Sequence, residues 1–167
     1  MNNKFEIKSG KMIITDPCYE KGTWCTKIVP ARNGVWEYDA WSGECGGNGR
    51  VHKLTAQHID PPSTKELRSL KLNELGVDSG QLGFFDHDQY PSTKAEQGSY
   101  DDTSSFYGKC CLLTSGENIH GSLGFGCVSS SGYGDGMYDG FAMLDDDGNI
   151  ISIEITFIEE EEEDDLD

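Results

Sequence analysis

The sequence predicts a mainly β, β-rich α+β domain: an antiparallel sandwich or partly closed barrel with two short helices at its margin. Three observations lead there. Short runs rich in Val, Ile, Phe, Tyr and Trp alternate apolar and polar side chains, the period of a strand with one buried face. Turn residues separate these runs at short intervals, with 21 glycines and 5 prolines among 167 residues. Hydrophobic residues make up 35% and aromatics 10%, spread along the chain rather than blocked, which is the composition of a folded globule. About nine such strands need two layers to bury their apolar faces. Residues 1–158 are therefore read as a single β-rich domain and 159–167 as an acidic tail.

Taken in order, Lys4 to Lys8 and Lys11 to Thr15 flank Ser9-Gly10 and suggest an opening hairpin. Pro17 has no N–H for a ladder, so the strand ends at Asp16-Pro17-Cys18-Tyr19, where the Asp16 carboxylate is placed to accept turn amides. Cys25 to Val29 and Gly34 to Trp41 read as the next strand pair, joined through Pro30-Ala31-Arg32-Asn33. In the second, Trp36, Tyr38 and Ala40 share one face, and Glu37 and Asp39 the other. Ser42 to Gly49 is a turn. Val51 to Ile59 follows as a strand with His52, Leu54, Ala56 and His58 on one face, the histidines too far apart along it for one metal unless the strand bends, and so read as partly buried, hydrogen-bonded side chains.

Pro61-Pro62 closes that strand, and Ser63-Thr64-Lys65-Glu66 has the form of a capping box opening a helix with Leu67, Leu70 and Leu75 inward, ended by Gly76. Gln81 to Asp86 is a short apolar strand, and His87 to Ser105 a long polar loop. Asp102 or Ser104 is placed to cap a second helix, with Phe106, Cys110 and Leu113 on one stripe. Thr114 to Gly121 reads as a loop, Leu123 to Ser129 and Asp139 to Leu144 as strands, and Asp145-Asp146-Asp147-Gly148-Asn149 as hairpin chemistry rather than a calcium loop. Ile150 to Ile158 is the cleanest strand: Ile151, Ile153, Ile155 and Phe157 face one way, Ser152, Glu154 and Thr156 the other.

Between two of these strands lies Ser129 to Gly140, the most constrained stretch. Gly132, Gly134 and Gly136 supply a backbone that residues with a Cβ adopt only at a cost, and they read as structural turn positions between antiparallel strands. The interleaved Tyr133, Asp135 and Tyr138 are candidate binding side chains, and Asp16, Tyr19, Asp78 and Asp86 stand beside them as candidates elsewhere in the chain. No catalytic residue and no metal ligand is assigned, and no cofactor is expected. The six cysteines contain no Cys-x-x-Cys pair and read as reduced, buried thiols.

The run Ser129 to Tyr138, followed by a hairpin and the strand Ile150 to Phe157, resembles the carboxy-terminal signature of the uncharacterised domain-of-unknown-function family 4241. Asp16-Pro17-Cys18-Tyr19, Asp78-Ser79-Gly80-Gln81 with Asp86, and Phe106 to Cys111 are similar to recurring pieces of that group. The resemblance implies a small soluble protein of bacterial or phage type. It brings no activity, cofactor or catalytic assignment.

Charge narrows the partners. The 30 acidic residues outnumber the 13 basic ones to give a net charge of -17, and the part of the chain before the tail is acidic by itself. Such a surface repels nucleic-acid phosphate and anionic membranes and attracts basic proteins. The start of the sequence has no export pattern and no apolar run spans a bilayer, so a cytoplasmic setting is expected. The expected function is a non-enzymatic binding module for a basic protein surface, of unknown oligomeric state. Two alternatives stand: a divalent-metal-dependent hydrolase in which Asp16, Asp78, Asp86 and Asp135 converge, and an acidic mimic of nucleic acid.

Overall fold

Turn residues in this chain mark passages between two antiparallel sheets as often as hairpins within one. The computed structural model describes residues 3–43, 49–60, 67–116 and 119–159. In chain order the elements are β1 (Lys4–Ile7), β2 (Lys11–Thr15), β3 (Lys27–Pro30), β4 (Gly34–Trp41), β5 (Lys53–His58), β6 (Arg68–Val77) and β7 (Gln81–Asp86). They continue with α1 (Lys94–Gln97), α2 (Phe106–Thr114), β8 (His120–Ser122), β9 (Gly126–Ser130), β10 (Gly136–Leu144) and β11 (Ile150–Thr156). One six-stranded sheet has the order β1-β4-β5-β11-β10-β6, and a five-stranded sheet the order β3-β2-β7-β9-β8. The fold is a β-rich, sandwich-like α+β arrangement.

The main core lies between the sheets. Trp36, Leu54, Leu75 and Ile155 from the first meet Met12, Ile14, Leu82 and Phe84 from the second. A smaller core forms on the other face of the second sheet, where Ile13, Phe85 and Val128 are covered by Tyr90 and Cys110. Covered on both faces, β7 is buried at every position, which is why Gln81 to Asp86 does not alternate. Phe106, Cys110 and Leu113 of α2 all join this second core, as their spacing predicts.

Several expectations need correction. The strands flanking Ser9-Gly10 exist, but β1 belongs to the first sheet and β2 to the second, so they form a corner and not a hairpin. The same holds for β3 and β4 around Ala31 to Asn33, and for β9 and β10 around the glycine-rich stretch. The helix expected through Leu67, Leu70 and Leu75 is instead strand β6. Its leucines mislead because the ladder with β10 slips between Tyr138 and Gly140, so that two residues, Asn73 and Glu74, oppose Asp139 alone. Glu74 takes φ 60° there and donates its N–H to Asp139 Oδ1 at 3.0 Å. The extra residue lets Leu72 and Leu75 both point inward, three apart as in a helix, although each half of the strand keeps period two.

The loop expected over Thr114 to Gly121 contains the start of β8, and the loop over His87 to Ser105 contains the one-turn α1. Ser105, not Asp102 or Ser104, caps α2, its Oγ accepting from Gly108 N at 3.1 Å. The Asp145 to Asn149 hairpin stands: Asp145 Oδ1 accepts from Asp147 N and Asn149 N at 2.9 and 3.0 Å. The capping box Ser63 to Glu66, Cys45 and the tail beyond Glu159 lie outside the described residues. Among those described, no helix is long and apolar enough to cross a membrane.

Candidate functional site

At the end of the sandwich where β2 stops and β7 starts, Asp16 is fully buried. Its Oδ2 accepts from Asp78 N at 2.8 Å and Ser79 N at 2.6 Å, and its Oδ1 from Cys18 N at 2.9 Å and Ser79 Oγ at 2.5 Å. These bonds fill the acceptor sites of a carboxylate. Asp16 thus fastens its own turn to the β6–β7 crossing, and it offers no lone pair for a metal or a substrate proton. Tyr19, in the same turn, directs its phenol toward Cys25, and burial, then that thiol, raises it well above the ordinary tyrosine value.

The glycine-rich crossing sits beside this clamp, with Ser131 N donating to Gly80 O at 3.1 Å. Gly132 has φ 61°, and a Cβ there would stand 2.9 Å from Ile158 Cγ1 and 3.0 Å from Phe157 Cβ. Gly134 has φ 113° with open space around it, so conformation alone requires glycine there. Tyr138 belongs to the turn: its hydroxyl donates to Gly134 O at 2.6 Å, with Ser131 O at 3.2 Å as a second acceptor, and its ring meets Phe157 edge-on at 5.1 Å. Tyr133 and Asp135 face outward. The Tyr133 ring is 70% exposed, with the Arg50 guanidinium 4.8 Å above its centre.

Asp86 is at the opposite end of β7. It is also buried, and its Oδ1 accepts from Ser9 Oγ at 2.6 Å, Ser9 N at 3.0 Å and Lys8 N at 3.3 Å, while Oδ2 accepts from Gln89 Nε2 at 2.8 Å. Burial by itself raises this carboxyl, but the Ser9 and Gln89 side chains and the Ser9 and Lys8 amides outweigh it and hold the group below the ordinary value. Asp16, Asp78 and Asp135 thus share one end without Asp86. Among the described residues no group of three or more His, Cys, Asp or Glu side chains is placed to hold a metal ion. The convergence on which the hydrolase alternative depends is not found.

The five described cysteines are unbridged. Burial raises the Cys18 thiol, with the Asp16 charge adding to it, and burial likewise raises Cys110 and Cys127, so these thiols are poor nucleophiles. His58 is occupied structurally: Nε2 donates to Asn33 O at 2.8 Å and Nδ1 accepts from Asp60 N at 3.1 Å. His52 rests edge-on against Trp41 at 6.0 Å. Neither histidine faces a shared centre.

What the sequence does not reveal is the outer face of the six-stranded sheet. Register brings Asp39, Thr55, Glu154 and Phe141 into one row across β4, β5, β11 and β10, and Glu37, Gln57 and Ser152 into the next. Together they line a groove of about 490 Å³. Every charged side chain in that lining, Glu37, Asp39 and Glu154, is a carboxylate, and Phe141 adds a 44% exposed ring. Lys4 approaches Glu37 at 3.8 Å from the edge strand, with both side chains half exposed. Alternation along single strands gives the outward positions, but only the sheet order makes neighbours of β4, β5 and β11. Comparison of the chain with protein-family models, curated proteins and solved structures found no match to any of them.

Proposed function

We propose that this chain is a non-enzymatic binding module whose groove on the six-stranded sheet receives a cationic segment of a protein partner. The observation that carries the reading is the lining of that groove, whose charged groups, Glu37, Asp39 and Glu154, are all carboxylates beside the exposed Phe141 ring, with Lys71 opposite Phe141 on β6 outside the lining. Lys or Arg side chains lying along the row Asp39, Thr55, Glu154 would meet two carboxylates and a hydroxyl, and an aliphatic stem or guanidinium plane would cover Phe141. The net charge of -17 adds a long-range field of the same sign, which speeds encounter with a basic partner. The buried carboxylates support the non-enzymatic side of the reading, because their lone pairs are already taken by amides and hydroxyls.

Calorimetric titration with an Arg- and Lys-rich peptide tests it. The triple change Glu37→Gln, Asp39→Asn and Glu154→Gln is near-isosteric, at two exposed positions and one half-buried one, and it should weaken binding by about tenfold, as expected from three largely solvated ion pairs. The salt dependence should flatten in parallel. Neutralising Asp146 and Asp147, exposed in the hairpin away from the lining, should have a clearly smaller effect. Equal losses from the two variants would leave only non-specific attraction and overturn the assignment to the groove.

A further inference from the structure

A second concavity lies on the opposite side of the molecule, outside the five-stranded sheet. Here α2 is too short to cover the smaller core, and Phe106, Leu113, Leu123 and Phe125 pack against it while remaining partly open. Leu112 is 59% exposed beside them. The result is a cleft of about 500 Å³ between α2, the segment from Gln89 to Glu96 and the β8–β9 turn. Its wall is built before anything binds: Phe106 meets Phe85 edge-on at 5.4 Å and stacks on Phe125 at 6.0 Å, while Phe85 is fully buried. An apolar cleft of this size with few polar groups has the character of a small-molecule site rather than a flat docking patch.

Two charged residues line the cleft, Glu96 and Lys109. They bring one charge of each sign to a lining that is otherwise mostly apolar. Glu96 is fixed by the amide of Ser92, which donates to its Oε2 at 3.0 Å, and Lys109 projects from a capped helix. We propose that the cleft binds a zwitterionic α-amino acid with a large apolar side chain: the carboxylate at Lys109, the ammonium at Glu96, and the side chain among Phe106, Leu113, Leu123 and Phe125. The overall charge supports this choice over the singly charged analogues. A net anion enters against a molecular charge of -17, and a net cation is drawn as strongly to the acidic groove, whereas a zwitterion has no net charge to be repelled or diverted.

The test is a titration of the ¹⁵N-labelled full chain followed by amide shifts. L-phenylalanine and L-leucine should shift the amides of α2 and of Leu123 to Phe125 saturably at millimolar concentration, and glycine should not. Phenethylamine and 3-phenylpropionate, which each lack one of the two charges, should bind about tenfold more weakly, as should L-phenylalanine to Lys109→Met and to Glu96→Gln. Both variants change exposed side chains, and Gln at 96 keeps an acceptor for Ser92, so their spectra should otherwise match the parent. Equal binding of the amine, the acid and the amino acid would overturn the zwitterion assignment. Shifts confined to the outer face of the six-stranded sheet, or no saturation with either amino acid, would overturn the site.

Discussion

The two ends of the five-stranded sheet are each closed by one buried aspartate, and they are closed differently. At one end Asp86 binds the Ser9 corner and Gln89, in surroundings of hydroxyl, amide and backbone. At the other, Asp16 holds the β6–β7 crossing next to the Cys18 thiol, while Tyr133 and Asp135 stand exposed on the neighbouring crossing. Each carboxylate ties the end of a strand of the five-stranded sheet to a segment far away in sequence that changes sheets. The comparison teaches that a buried acid in this protein fixes where the chain crosses.

Removing the Asp16 carboxylate is the strongest way to break that comparison. Asp16→Ala strands three buried or half-buried amides and a hydroxyl and should cost on the order of 3 kcal/mol, read as a fall in the urea midpoint. A loss no larger than that of an exposed substitution would show that the clamp is not structural. Asp86→Ala should cost about 2 kcal/mol, since Gln89 is able to turn toward water. Its pH signature is distinctive. A carboxyl lowered in the fold contributes stability that is complete above its unfolded value near 3.8 and is lost as pH falls through the folded value. The melting temperature of the parent should therefore drop more steeply below pH 4 than that of Asp86→Asn, and parallel curves would contradict the assignment.

Smaller effects sharpen the contrast at the glycine-rich crossing. Gly132→Ala combines a left-handed φ with contacts to Phe157 and Ile158 and should cost about 2 kcal/mol, against about 1 kcal/mol for Gly134→Ala, where only the backbone objects. Equal melting temperatures for the two would mean that Ile158 yields. The smallest effect belongs to His120, whose Nδ1 lies 3.0 Å from the Tyr38 hydroxyl and so links the two sheets. Burial lowers this imidazole below 6.5, with Asp39 partly opposing it. Its contribution is complete above 6.5 and declines as pH falls through that value, because the unfolded chain takes the proton first. The fall in stability between pH 7 and 5.5 should be shallower in His120→Gln than in the parent. An unchanged slope would assign the loss to other groups.

Much of the fold was legible because period-two alternation is local. The strands through Trp36, Leu54 and Ile153, and the Asp145 hairpin, needed nothing beyond their own residues and immediate neighbours. Pairing was less legible: Ser-Gly and Asn-containing turns serve a corner between sheets as well as a hairpin, so β1 with β2 and β3 with β4 looked like partners. β6 was hidden by the single extra residue at Glu74. The sequence places Asp16 as an acceptor for turn amides, which holds for Cys18, but its Asp78 and Ser79 donors lie 62 and 63 residues away. The acidic groove was illegible for the same reason, since it exists only once β11 lies between β5 and β10.

The slip in the β6–β10 ladder bears on how the molecule avoids unwanted company. β6 is ten residues long and lies at the edge of its sheet, where a straight strand would present a row of unpaired amides and carbonyls to any other chain. The extra residue at Glu74 interrupts that row with a left-handed backbone, and the Asp139 carboxylate takes the N–H released there. Beyond the interruption, Gly76 donates to Cys25 O at 3.1 Å, so the far part of the edge is shielded by the molecule's own loop. The same irregularity that disguises this strand in the sequence breaks the template on which fibrils of repeated copies would grow.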